Sequence, residues 1–223
     1  MSRFHSVSYD KRKFRKYFQS VLHHYQNKFN ELYISSLDKK YNSVIESLSL
    51  ECKINFISTQ SLLPLKIDYA KTLGSDRICS AVGAFKKFGK QNNILVIDSG
   101  TATTFNVISD GIYKGGMISA GLKTASEALL NKTTLPKIVL NSKISLVNKS
   151  TKSSIISGLI LQHVLFLEKA VELYKNMFKN LFVVMTGGGA EVIGKKIKGV
   201  NKIELELVLE GLNYIALHNK KIQ

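Results

Sequence analysis

The feature that most constrains this chain is residues 93–116, NILVIDSGTATTFNVISDGIYKGG. An apolar run at Ile94, Leu95, Val96 and Ile97 ends in an acid, Asp98, passes through Ser99-Gly100-Thr101, and resumes as an apolar-rich segment over residues 102–108. This pattern predicts a strand, a tight turn and a returning strand. Chemistry is expected at the turn, because Gly100 lets backbone N–H groups approach an anion while Asp98 and Thr101 supply a carboxylate and a hydroxyl beside it. Such a hairpin suits phosphate oxygens and a cation; an ordinary hairpin with a polar turn is the plainer alternative.

The rest of the chain alternates helix and strand signals, which argues for an α/β layer. Residues 10–32 carry apolar side chains at amphipathic-helix spacing, with Lys11, Arg12, Lys13, Arg15 and Lys16 crowding the first turns. Residues 31–35 and 54–58 read as short strands, and residues 38–48 as a helix with Asp38 as its N-cap. Gly74-Ser75-Asp76-Arg77 opens a helix whose inward face is Ile78, Val82 and Phe85. An acid beside an arginine there is either a cap and a surface charge, or a base for a hydroxyl proton next to a fork for a polar substrate. After the hairpin, Asp110-Gly111 signals a turn into a strand at residues 112–114. A glycine-rich stretch then leads into a helix through Leu130, and Leu135-Pro136 begins a polar loop. A long helix is predicted over residues 151–177, a buried strand over 181–185, and helices over 191–197 and 205–218. The strand-to-helix turn Thr186-Gly187-Gly188-Gly189-Ala190 offers a second anion or nucleotide site, since free N–H groups at a helix start face a ligand.

Composition narrows the function classes. Lys and Arg number 32 against 16 acids in 223 residues, but the lysines are scattered, which describes a solvated surface more than a nucleic-acid site. An anionic substrate would benefit from the same field. Cys52 and Cys79 have no paired spacing, and the five histidines have no ligand spacing, so neither a disulfide scaffold nor a zinc site is indicated. Residues 155–167, the most apolar later stretch, are too short to span a bilayer, and no apolar leader follows Met1. A cytoplasmic chain without membrane or nucleic-acid partners is the expectation.

Taken together, GSDR at residues 74–77, DSGTATTF at 98–105, GGMISAGL at 115–122, LP at 135–136, ST followed by SG within 150–158, TGGGA at 186–190 and LVLEGL at 207–212 resemble the type III pantothenate kinases. The resemblance implies a duplicated, actin-like (ribonuclease H-like) α/β fold acting as a homodimer, with halves at residues 1–92 and 93–223. It implies transfer of the γ-phosphoryl group of ATP to pantothenate, giving 4'-phosphopantothenate in the first step of coenzyme A synthesis. By the same resemblance Asp76 is the general base, and Tyr69, Gly74, Ser75, Arg77 and Thr151 bind pantothenate, Thr151 from the dimer-forming helix. Gly100, Thr101, Gly187 and Gly188 fall on the ATP site, Asp98 on a potassium or ammonium ligand, and magnesium accompanies the nucleotide.

The chain departs from the family pattern in places. Nothing before Phe14 matches the family's Asp-x-Gly-Asn-Thr phosphate loop, so the first half is expected to be incomplete at its N-terminus. Ala120 stands where the family usually has Pro and Gly189 where it usually has Asp, and the segment between Tyr69 and Gly74 is short. Either the start of the protein lies upstream of Met1, or the chain is a catalytically impaired relative with a binding or regulatory role, for which the basic helix is the candidate contact. A phosphotransferase of the same fold with another small hydroxyl substrate is a third reading.

Overall fold

The structure, a computed structural model, describes residues 13–25, 29–48, 50–141 and 143–221. In chain order the first elements are α1 (Phe14–His24), β1 (Glu31–Ile34), α2 (Lys39–Glu46), β2 (Lys53–Phe56), β3 (Lys66–Ile67) and α3 (Ser75–Phe88). The expected hairpin follows as β4 (Asn93–Ser99) and β5 (Ala102–Ser109), then β6 (Ile112–Gly115), β7 (Ile118–Ala120) and α4 (Leu122–Asn131). Next come α5 (Thr151–Met177), β8 (Phe182–Thr186), α6 (Gly188–Ile193), β9 (Lys202–Ile203) and α7 (Leu207–Lys220), with a 3-10 turn at Gly194–Lys196.

Two sheets result. β1 and β2 pair in parallel around α2, whose N-cap Asp38 accepts from the Lys40 N–H at 2.8 Å as its sequence position suggests. The larger sheet runs β3-β6-β5-β4-β8-β9, with β7 also on β5. β4 is antiparallel to β5 and parallel to β8, so the hairpin is extended by a crossover through α4 and α5. Helices cover both faces of β4, and Ile94, Leu95, Val96 and Ile97 are each 0% exposed. Side-chain alternation then sorts the core. Leu95, Ile97, Phe105 and Val107 meet α5, whereas Ile94, Val96, Ile108 and Tyr113 meet α3 and α7.

Several boundaries differ from the sequence expectation. Apolar spacing over residues 10–32 overruns α1, which ends at His24, and Glu31 already belongs to β1. Residues 10–12 and 26–28 of that stretch, including Lys11 and Arg12, lie outside the described residues. β3, β7 and β9 are not foreseen, because two or three residues are too few to establish an alternation. The helix expected over residues 191–197 begins earlier, at Gly188, and gives way to the 3-10 turn after Ile193. α5 as a whole is long and apolar enough, by length and composition, to cross a membrane, which residues 155–167 alone are not. Here its buried side, with Ile160, Leu167 and Val171, is a wall of the core.

α3 is held by α7 at unusually close range. A Cβ at Gly211 would run into the Cys79 carbonyl, and one at Gly83 into the Leu207 carbonyl, so the two helix backbones touch where they cross. Lys87 reinforces the contact with Glu204 at 2.8 Å and Glu210 at 2.9 Å. Burial lowers the Lys87 pKa, but its bonds to these two carboxylates outweigh that and raise it. Gly211→Ala would gain roughly 1 kcal/mol of helix propensity, yet forcing the helices apart costs roughly 1–3 kcal/mol, and against backbone the cost wins. Gly211→Ala should therefore lower the Tm. Gly158→Ala in α5, where nothing lies within 4 Å of the added methyl, should raise it.

Candidate active site

Strand parity brings three polar side chains onto the α3 face where the hairpin ends. Asp98 continues the Ile94–Val96 side of β4, its cross-strand partner is Thr104, and Asn106 follows on the same side of β5. α3 begins over this face. Its N-cap, Gly74, is extended, and Asp76 in the first turn uses Oδ1 to accept from the Arg77 N–H at 2.7 Å. Ser75 is buried and pinned to the loop after β1: its Oγ accepts from Ser35 Oγ at 2.9 Å and donates to the Ser36 carbonyl at 3.1 Å. The β1–β2 unit thereby fixes where α3 starts.

Arg77 is 6% exposed and turned toward the sheet. Its Nε donates to Asn106 Oδ1 at 2.6 Å and its Nη2 to the Phe105 carbonyl at 3.2 Å. The guanidinium carbon lies 5.5 Å from the Tyr69 ring centroid and 5.9 Å from that of Tyr113, within cation–π range. Tyr113 is fully buried while Tyr69 is 43% exposed, so the arginine has one inner aromatic wall and one that solvent reaches.

Asp98 is the most perturbed acid of the group. Burial pushes its carboxyl up to about 6, and the negative charge of Asp76 adds to the rise. A desolvated carboxylate with a like charge beside it favours a bound cation. Among the described residues no group of three or more His, Cys, Asp or Glu side chains is placed to hold a metal ion.

The turn between β8 and α6 closes on the same strand end. Gly187, at φ +84°, passes so near β4 that a Cβ would lie 2.5 Å from Asp98 Oδ1 and 2.7 Å from the Ser99 carbonyl. A Cβ at Gly189 would strike Ser99 Oγ. Glycine is required here by the approach of two backbones. Beside it lies a cavity of about 380 Å³ lined by Ser99, Gly100, Thr101, Thr124, Gly188 and Gly189. Thr124 Oγ1 donates to the Thr101 carbonyl at 2.6 Å, holding α4 against the hairpin turn. Ser99 Oγ is buried without a hydrogen-bond partner among the described residues. A larger cavity of about 710 Å³, between α1 and the segment before β2, includes Arg15, His23, Asn30 and Cys52 and none of the expected site residues.

Tyr69, Gly74, Ser75, Asp76, Arg77 and Asp98 are thus together, while Gly100, Thr101 and Gly188 line the adjoining cavity and Gly187 joins the two. Thr151 is exposed, at the start of α5, directly after the N-cap Ser150. Twelve residues further along α5, His163, buried and lowered in pKa by that burial, meets Thr103 Oγ1 at 3.2 Å beside the hairpin turn. Sequence reasoning did not single out Asn106 or Tyr113; the available signal was an amide inside a strand otherwise apolar enough to be buried.

The family model of type III pantothenate kinases matches residues 3–173. The type III pantothenate kinase of Flavobacterium psychrophilum is 31% identical over 198 residues, covering 87% of this chain and 82% of that protein. That of Cytophaga hutchinsonii is 35% identical over 193 residues, covering 84% and 80%. Among solved structures, a candidate Baf family transcriptional activator from Campylobacter jejuni gives a TM-score of 0.62 at 18% identity, covering 90% of this chain and 89% of that one. A candidate N-acetylmannosamine kinase from Listeria monocytogenes gives 0.53 at 11% identity, covering 94% and 87%. These two likenesses concern the fold alone, and the mixed α/β architecture is of the actin-like sugar-kinase class. The family match runs without a break through the start of α3, the hairpin and most of α5, and by that match this chain belongs to the type III pantothenate kinase family, a family of enzymes.

Proposed function

We propose that this protein phosphorylates pantothenate at the expense of ATP, yielding 4'-phosphopantothenate for coenzyme A synthesis. The observation that carries the reading is the convergence of Asp76, Arg77 and Asp98 on one sheet face beside a glycine-lined cavity. Phosphoryl transfer asks the protein mainly to position two substrates and to offset charge spreading over the transferred group. Asp76 is the base for the pantothenate hydroxyl, its Oδ1 steadied by the helix start. Arg77 and Tyr69 receive the polar body of pantothenate, and Ser75 and Gly74 set the position of that helix turn. ATP supplies the γ-phosphoryl group, and Thr101, Gly100, Gly187 and Gly188 line its approach, with the unpartnered Ser99 hydroxyl supporting a polar occupant. Magnesium belongs with the nucleotide phosphates in this reading, because a divalent ion offsets the charge on the phosphoryl oxygens.

Turnover is proposed over a purely binding role because the base, the arginine and the buried acid are all retained in one group. A homodimer through α5 is part of the proposal. Leu165, Leu173 and Met177 are exposed on that helix at 54%, 56% and 73%, an apolar surface suited to a second copy. Thr151, exposed at the start of that helix, then serves the pantothenate site. The division into halves at residues 1–92 and 93–223, a potassium or ammonium ion at Asp98, and a cytoplasmic location complete the reading.

Two results would check it. Asp76→Asn should cut kcat about 100-fold or more with pantothenate KM little changed, as loss of a general base does, in a coupled assay of ADP release. Wild-type rates in that variant would refute the assignment of the base. The second concerns pH. Because the folded pKa of Asp98 lies above its ordinary 3.8, at about 6, the folded state binds the proton more tightly than the unfolded chain. The contribution of Asp98 to stability is therefore most favourable below pH 4, falls as pH rises toward 6, and stays lower by roughly 3 kcal/mol above it. Asp98→Asn should raise the Tm near pH 7.5 but not near pH 4, and added potassium should raise the Tm of the wild type alone.

A further inference from the structure

Arg77 is unusual in how it is held. A guanidinium carries five N–H groups. Two of the five donate inside the protein, to Asn106 Oδ1 at 2.6 Å and to the Phe105 carbonyl at 3.2 Å. Neither acceptor is a carboxylate, so the contacts orient the group without neutralising it. The Asn106 amide is itself fixed on every side. Its Oδ1 also accepts from Tyr113 Oη at 2.9 Å, and its Nδ2 donates to Thr104 Oγ1 at 3.0 Å. Asn106 and Tyr113 are both 0% exposed, and Thr104 is 8% exposed. The Arg77 Nε–H, a donor only, settles which end of the amide faces it, since only the oxygen end can accept, and the Thr104 hydroxyl then accepts from Nδ2.

The chain of contacts has a direction. Thr104 lies opposite Asp98 in the strand register, and Asn106 is the next residue on that face. Asp98 sets one end, Tyr113 the other, and Arg77 hangs from the middle with its guanidinium carbon 5.5 Å from the Tyr69 ring centroid and 5.9 Å from that of Tyr113. A buried cation held by neutral acceptors alone keeps its full charge for an anionic or strongly polar ligand, and a fixed plane gives that charge a fork geometry. Losing the Asn106 oxygen would leave both the Arg77 Nε and the Tyr113 hydroxyl without their acceptor in a buried place, which frees the guanidinium to rotate.

We infer that Asn106 is a positioning residue for substrate binding: through its Oδ1 it orients the Arg77 guanidinium toward the pantothenate side of the site. The inference deepens the function proposed above and rests on it for the identity of the substrate. Its test has one readout that needs no substrate. In a nitrogen–proton spectrum of the ligand-free protein, with the signal assigned through Arg77→Lys, the Arg77 Nε proton should exchange slowly in the wild type. It should remain slow in Asn106→Asp, which keeps the acceptor oxygen, and exchange rapidly in Asn106→Leu. Kinetically, Asn106→Leu should raise the pantothenate KM by about tenfold while the ATP KM moves less than about twofold.

Equal rises in both KM values, or a pantothenate KM unmoved in Asn106→Leu, would overturn the inference. So would a rapidly exchanging Arg77 Nε proton in an active wild type. If Asn106→Leu does not fold, the wild type and Asn106→Asp still decide, because both must keep the slow proton. A slow Arg77 proton in a wild type that never phosphorylates pantothenate would support the positioning and refute the substrate.

Discussion

Two carboxylates that repel each other lie at the heart of this structure. Asp98 is carried to the end of β4 by strand alternation, into surroundings that push its carboxyl to about 6, and the charge of Asp76 adds to the rise. Asp76 is steadied by the Arg77 N–H at the helix start, but no such local bond accounts for the setting of Asp98. It is imposed by packing: the buried run from Ile94 to Ile97 fixes the strand, and the backbone contact of α3 with α7 at Gly83 and Gly211 fixes the helix. Burial of four such aliphatic side chains contributes on the order of 1.5–3 kcal/mol each, enough to hold one acid in an unfavourable setting. A cation at Asp98, as proposed above, would relieve that setting.

From this constraint the two sides of the sheet acquire different tasks. Even-numbered positions of β4 and β5 face α3 and bring Asp98, Thr104 and Asn106 toward Asp76 and Arg77. Odd-numbered positions face α5 and place Ser99 next to the glycine turn after β8. Gly187 sits between, touching both Asp98 and Ser99 in a space that admits no side chain. A hydroxyl acceptor on one face and a phosphate donor at the turn would meet across the strand end, which is the geometry that in-line phosphoryl transfer needs.

How much of this could be read from sequence follows from the range of the interactions. The hairpin, the start of α3 and the 27-residue span of α5 were legible because each is written in local periodicity or in a turn residue. Asp76, Arg77 and Asp98 were legible as a motif set, and the fold does bring them together. The short strands β3 and β9 were not, because a two-residue strand exists only through its partner. β7 was hidden by the glycines flanking it, although its three residues complete the ladder on β5. The α6 start at Gly188 contradicts helix propensity, and close packing against Ser99 decides it instead. Asn106 and Tyr113 stayed invisible as site residues because what they do depends on strand register and on an arginine 29 positions away.

The most direct measurement is a crystal structure of the protein with pantothenate and a non-hydrolysable ATP analogue, in potassium and magnesium. The expected density places the pantothenate hydroxyl within hydrogen-bond reach of Asp76, with Arg77 beside the same molecule and the terminal phosphate of the analogue in the cavity lined by Gly100, Thr101 and Gly188. Pantothenate bound away from Asp76 and Arg77, or a nucleotide seated in the larger cavity beside α1, would contradict the assignment of this sheet end as the catalytic site.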